Sequence, residues 1–269
     1  MTNVHAPLGS AIGPIFLSHG SPTLPFEGVP AHHFIKGLAA TLPVPRAILV
    51  VSAHWEGETA TLNAVTVNDT IHDFSGFPTE LYELQYPAPG STRLASHAAS
   101  LLLDAGLGVK LDTTRGLDHG AWVPLMLAWP EAEIPVVQLS VQTELGPQYH
   151  LELGRTLHSL TKEGVLVLAS GSFTHDLSSW RNQKGHTEPQ WVTEFAQWFN
   201  AQLLDRNIES LLEYWERAPF AQRNHPTEEH LLPLFVALGA GGPAAQPSLL
   251  HSSTTYGVLR MDAYAFSAE

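Results

Sequence analysis

Histidine is out of proportion in this sequence. There are 15, more than the 13 lysines and arginines together, and there is no cysteine. A metal held by such a chain is held by imidazole and carboxylate, donors that suit Zn, Fe, Ni or Cu better than Mg or Ca. Three histidines stand past short apolar runs: His19 after Ile15-Phe-Leu-Ser18, His54 after Ala47-Ile-Leu-Val-Val-Ser-Ala53, and His175 a few residues beyond Val165-Leu-Val-Leu-Ala-Ser170. Such runs read as strands buried on both faces, as in a parallel sheet. Ligands of open α/β sheets bind in the crevice beyond the carboxyl ends of the strands. Imidazoles delivered to that edge make a candidate metal site.

His19 opens His19-Gly-Ser-Pro22, where the glycine allows a tight turn and the proline stops further pairing. Alone, His19 or His54 reads equally as a hydrogen-bonded turn histidine; together they reinforce one another. His230 lies near the start of a helix predicted over 228–238, with Thr227 as cap and Glu228 and Glu229 in the first turn. His230, Leu234 and Leu238 share a face at i, i+4, i+8, so His230 is expected to point inward. Glu229 and Glu228 then point progressively away, and Pro233 bends the first turn. The alternative role for His230 is that of a buried histidine satisfied by a neighbour. His175 is a ligand or an acid–base group. His119 follows Asp118, which either orients its ring or caps the helix that follows. His72 lies at the start of a long Pro/Gly-rich loop. Phe74, Phe77, Trp122 and Phe173 are candidates for aromatic pocket walls or for ordinary core. His5, His32, His33, His97, His150, His158, His186 and His251 have no such context and read as surface or structural.

The elements that must position these groups alternate. Strands are predicted at 15–18, 47–53, 61–67, 134–139, 165–170 and 257–264, and helices at 32–42, 92–104, 120–128, 148–161, 189–204 and 228–238. The resulting expectation is one three-layer α/β domain over residues 1–269, its mixed, mainly parallel sheet flanked by helices, with the metal site at the C-terminal ends of the strands. The strand at 61–67 is expected to pair antiparallel, and the last strand to lie at or near an edge. Loops are expected at 74–90 and 239–247, the first long enough to wall or cover a site. Apolar content of 44% and charged content of 14% fit a globular enzyme. The formal net charge of −13 disfavours nucleic acid and anionic membrane surfaces as partners. No apolar run is long enough to span a bilayer. The N-terminus has no basic segment followed by an apolar one, so no signal peptide is expected and a cytoplasmic location is the simplest reading.

The P-loop, nucleophile-elbow and H-E-x-x-H signatures are absent. What is present is an ordered series: Ser-His19-Gly-Ser-Pro, Ser-Ala-His54-Trp, His72-Asp-Phe-Ser-Gly-Phe-Pro, Tyr86-Pro-Ala-Pro-Gly, Asp118-His119-Gly, Ala169-Ser-Gly…His175 and His225-Pro…Glu229-His230-Leu-Leu-Pro-Leu. The series resembles the 4,5-DOPA type of extradiol dioxygenase, in the class III superfamily of protocatechuate 4,5-dioxygenase catalytic subunits, over nearly the whole chain. That resemblance implies a non-haem Fe(II), or Zn(II), held by His19, His54 and His230, the last standing where better-studied members place a glutamate. It implies His175 as acid–base group, which in this branch can also approach the metal, and His119 near substrate and oxygen, with His72, Phe74, Trp122 and Phe173 around the substrate. Catechol and O₂ would be the small-molecule partners, in a catabolic enzyme and a possible homo-oligomer. The competing readings are a zinc hydrolase on three histidines and a non-catalytic binding protein on the same fold.

Overall fold

The structure, a computed structural model, describes residues 12–182 and 187–267; the N-terminal segment, His5 and His186 lie outside them. In chain order the elements begin with β1 (Ile15–Ser18), α1 (Pro30–Leu38), β2 (Ala47–Glu56), β3 (Ala60–Asn63), α2 (Thr79–Tyr82), α3 (Thr92–Asp104) and β4 (Val109–Asp112). Next come α4 (His119–Ala128), β5 (Val136–Val141), α5 (Gly146–Lys162), β6 (Val165–Gly171), α6 (Leu177–Asn182) and α7 (Gln190–Leu204). Then follow the short α8 (Ile208–Leu212), α9 (Tyr214–Arg217) and α10 (Ala221–Asn224), and after them α11 (Leu232–Ala240), β7 (Gln246–His251), β8 (Thr254–Thr255), β9 (Leu259–Arg260) and β10 (Ala263–Ser267).

The main sheet has the order β4-β3-β5-β2-β6-β1-β10-β7. Its middle, β5-β2-β6-β1, is parallel, and β10 closes one flank antiparallel to β1. Alternation along the central strands makes the three layers. Ile15, Leu17, Ile48, Val50, Leu166 and Leu168 bury into the core shared with α1 and α4. Leu49, Val51, Val165 and Phe16 bury into the cores on the opposite face, under α3, α5 and α11. Since side chains alternate with a period of 2, the first set extends at the strand ends to His19, Ser52, His54 and Ser170. One side of one sheet edge thus receives the polar groups.

Several expectations shift. The strand expected over 61–67 runs only from Ala60 to Asn63, whose side-chain amide bonds Asn68 and the Gln138 backbone, and it pairs antiparallel with β5 and parallel with β4. The predicted strand at 257–264 is a broken run of β9 and β10. β4 and β7 were not expected, because both are largely exposed edge strands with little apolar signal. The region 239–247 is not all loop, since α11 runs to Ala240. That helix begins at Leu232 rather than 228, with Pro233 in its first turn where a missing N–H costs nothing. His230 therefore precedes the helix, and the i, i+4, i+8 argument for its direction does not hold.

Two predictions follow from the packing. A Cβ on Gly154 of α5 would lie 2.1 Å from the Val236 carbonyl of α11, and one on Gly239 would lie 2.2 Å from the Leu151 carbonyl. Gly154→Ala or Gly239→Ala is expected to destabilise the fold by about 1–3 kcal/mol in urea unfolding; an unchanged midpoint would contradict this contact. Burial pushes His150 and His225 down to about 4, and His150 donates from Nδ1 to Gly146 while Nε2 accepts from the Gln142 amide. Both are neutral when folded and return to about 6.5 when unfolded, so the unfolded chain binds more protons between these values. Stability is expected to be full above pH 6.5 and to fall as the pH drops toward 4, by up to about 3 kcal/mol for each histidine. Unfolding midpoints that stay level from pH 7 to 5 would refute it.

Candidate metal centre

β2, β6 and β1 are neighbours, so the groups at their C-terminal ends meet. His19 Nε2 lies 3.0 Å from His54 Nε2, and His230 Nε2 lies 3.3 Å from the same atom. Two nitrogens held at about 2.1 Å from one ion, at tetrahedral or octahedral angles, stand roughly 3.0–3.4 Å apart. The spacing is that of ligands to one ion.

The opposite ring nitrogens fix the protons. His19 Nδ1 lies 3.1 Å from Ser170 Oγ, and that hydroxyl donates to the Gly120 carbonyl, so its oxygen accepts from His19 Nδ1–H. Gly120 O is available because Pro124, four residues on in α4, has no N–H to offer it. His230 Nδ1 lies 2.7 Å from Glu229 Oε1. Protonated at Nδ1, His19 and His230 each direct a lone pair at His54. A single proton on His54 Nε2 could satisfy only one of them, whereas a cation satisfies all three. Burial, the largest cause, together with crowding by the neighbouring imidazoles, holds His19 and His230 well below the ordinary histidine range and His54 at about 3. The nitrogens are therefore unprotonated at neutral pH, as metal ligation requires. The donor set fits a borderline divalent ion such as iron or zinc.

His230 is carried here by its backbone. Its carbonyl accepts from the Ser172 amide at 2.9 Å, and a Cβ on Gly171 would lie 2.1 Å from that oxygen. Glu229 is at the back of the His230 ring rather than pointing away, and Glu228 is bound to the Tyr214 hydroxyl at 2.9 Å. Thr227 bonds Glu229 instead of capping a helix.

Around the three rings stand His119 and His175. The His119 ring is 3.9 Å from that of His54, and the His175 ring stacks on His230 at 3.4 Å. Asp118 caps α4 and takes hydrogen bonds from Ser52, Gln138 and Arg115. The ring is oriented by Asp73, which accepts from His119 Nδ1 at 2.9 Å and from the His119 amide at 2.8 Å. Burial raises Asp73, but these hydrogen bonds outweigh it and hold the carboxyl at about 2. Sequence reasoning missed Asp73, although it follows His72 in the quoted motif; it also missed Ser170 and the purpose of Pro124. Burial lowers His175 to about 4.

A cavity of about 200 Å³ opens beside the centre, with His19, His54, His119 and His175 on one wall and Phe74, Phe77, Leu177 and Leu259 among the apolar ones. Three proposed substrate contacts lie elsewhere. Trp122 is fully buried behind Phe74, its indole donating to the Ile71 carbonyl. Phe173 packs in the core with Phe199 and Tyr264. His72 turns its Nε2 to the Leu84 carbonyl. His72 and Trp122 pack against Phe74 from behind.

Comparison with known proteins agrees in one direction. Residues 13–266 match the family described as the catalytic LigB subunit of aromatic ring-opening dioxygenase. The chain is 42% identical over 257 residues to a 4,5-DOPA dioxygenase extradiol of Beta vulgaris, covering 94% of this chain and 96% of that one. It is 40% identical over 230 residues to the protein of that name from Escherichia coli, covering 84% of each. The crystal structure of an uncharacterized protein from Escherichia coli K12 superposes with a TM-score of 0.79 at 31% identity, over 94% of this chain and 99% of that one.

Partners that hold a ligating histidine are worth about 10–100-fold in metal affinity. Ser170→Ala and Glu229→Gln are each expected to weaken zinc binding by that order in a chelator competition. Wild-type affinity in both would mean that the three rings do not share an ion.

Proposed function

The chain belongs to the LigB family of aromatic ring-opening dioxygenases, and from that premise we propose how its residues divide the work. It is an extradiol dioxygenase that cleaves the ring of a catechol with O₂, and it uses a metal cofactor. We assign Fe(II) as the metal, His19, His54 and His230 as its ligands, and the whole of 1–269 as one catalytic domain. The observation that carries the ligand assignment is the spacing of the three Nε2 atoms, 3.0 and 3.3 Å. When bound, the ion supplies a Lewis acid that lowers the pKa of a catechol hydroxyl and a source of electrons for O₂.

The remaining roles fall to the chain. An engineered 150 Å³ apolar cavity accepts benzene, so a cavity of about 200 Å³ admits one substituted ring. Phe74 and Phe77 flank it and exclude water. His175 lines the cavity, and no protein hydrogen bond engages its ring among the described residues, so it can take the hydroxyl proton and return it later in the cycle. His119, held by Asp73 at Nδ1, presents Nε2 as an acceptor toward the same space. A DOPA-like catechol is the substrate class supported by the names of the relatives. Nothing in those relatives favours a zinc hydrolase or a non-catalytic binding protein.

Protein reconstituted anaerobically with Fe(II), then given catechol and air, is expected to consume O₂ and form a yellow ring-opened product. The panel is DOPA, caffeate and protocatechuate, and no uptake with any of them would sink the proposal. His175→Ala is expected to abolish turnover and retain at least part of the metal. Complete metal loss in that variant would make His175 a ligand first.

A further inference from the structure

His19 and His230 are held at the back of the ring, by Ser170 and by Glu229. His54 is not. Its Nδ1 lies 3.7 Å from Asp73, beyond hydrogen-bond reach, and no other group engages that atom among the described residues. The strand does not hold it either. β2 pairs with β6 only as far as Ser52, and its register against β5 jumps from Val51 opposite Leu139 to Glu56 opposite Val141. Ala53, His54 and Trp55 therefore stand in a bulge, with no paired residue on either neighbouring strand among the described residues. A bulge re-aims the side chains it carries and leaves their backbone outside the ladder.

What replaces the ladder is a closed circuit of side chains around the peptide groups of His54. The His54 N–H donates to Ser52 Oγ at 3.2 Å, and the Ser52 hydroxyl donates to Asp118 Oδ1 at 2.6 Å. Asp118 Oδ2 accepts from Arg115 Nη2 at 3.2 Å, and the same nitrogen reaches the His54 carbonyl at 3.5 Å. The guanidinium also lies over the Trp55 indole, 4.5 Å from its centre, so the next residue of the bulge is held too. Arg115 is itself pinned: its amide donates to Asp112 Oδ1 at 2.9 Å and its carbonyl accepts from Asn63 Nδ2 at 3.2 Å. Asp118 is fully buried, and Arg115 is the cation paired with it.

We infer that Arg115 is a positioning residue for the metal centre, closing the bulge of β2 so that His54 Nε2 stays aimed at the point shared with His19 and His230. Arg115 is not among the residues lining the cavity, so it acts through His54. A guanidinium suits the task because one planar group serves a carboxylate, a carbonyl and an indole face together. An ammonium on a flexible stem is a point charge and does not. The inference rests on the assignment of His54 as a ligand.

Zinc affinity, read by chelator competition, tests this without turnover. Arg115→Ala is expected to weaken binding by about 10–100-fold. Arg115→Lys keeps the charge beside Asp118 and loses the fork; it is expected to weaken binding by about threefold or more, and it carries the test if Arg115→Ala does not fold. In a His54→Ala background the circuit has no ligand to aim, and either change is expected to alter the residual affinity by less than about twofold. Wild-type affinity in Arg115→Ala, or in Arg115→Lys where the first does not fold, would overturn the inference and leave His54 a ligand. An equal loss in the His54→Ala background would also overturn it, by marking a general structural role. Wild-type affinity in His54→Ala alone would overturn the ligand assignment and this inference with it.

Discussion

Three imidazole lone pairs aimed at one point are the constraint on which this structure turns. Neutral nitrogens at 3.0 and 3.3 Å repel one another unless a positive charge lies between them. Holding them there takes strand order, close backbone approach and a defined proton on His19 and on His230. Strand order comes from β2, β6 and β1 lying side by side, so that residues of one parity end at one edge. Close approach comes from Gly171, against which the His230 backbone docks, and from Gly120, where a Cβ would sit 2.5 Å from Ser52 Oγ. The His19 proton is fixed through a relay that begins with a missing donor at Pro124 and passes through the Gly120 carbonyl to Ser170. A substitution far from the rings can therefore alter which nitrogen carries the proton.

The carboxylates near the centre are set back by one layer. Asp73 and Glu229 accept protons from the far sides of His119 and His230 rather than standing beside the Nε2 cluster. In the proposed assignment, a divalent ion held by His19, His54 and His230 would meet three neutral ligands and keep its full charge toward the cavity, where a catecholate would offset it. The negative charge behind the rings makes the imidazoles better donors without occupying a position at the ion.

Much of the fold is legible in the sequence because the central strands are continuous apolar runs, whose histidines fall at one edge. His19 and His54 follow from strand parity. His230 was reached by a helical-face argument that fails, since Pro233 marks a helix start and leaves the preceding turn to place the ring. The edge strands β4 and β7 were hidden because half-exposed strands carry little apolar signal. Asp73 and Ser170 were missed for another reason: their roles depend on which side chain they meet across the sheet edge, and that pairing has no periodicity to read. Trp122 and Phe173 show the limit of assigning aromatic walls by neighbourhood, because both lie near the site in sequence and are fully buried behind it.

The central claim is that three imidazoles share one ion. X-ray absorption at the metal edge of the zinc-loaded protein tests this directly, because imidazole rings leave a distinct multiple-scattering signature. The account predicts three histidine nitrogens at about 2.0–2.1 Å, with any further neighbour supplied by solvent or substrate. A first shell of oxygen alone, or one with fewer than three imidazoles, would contradict it.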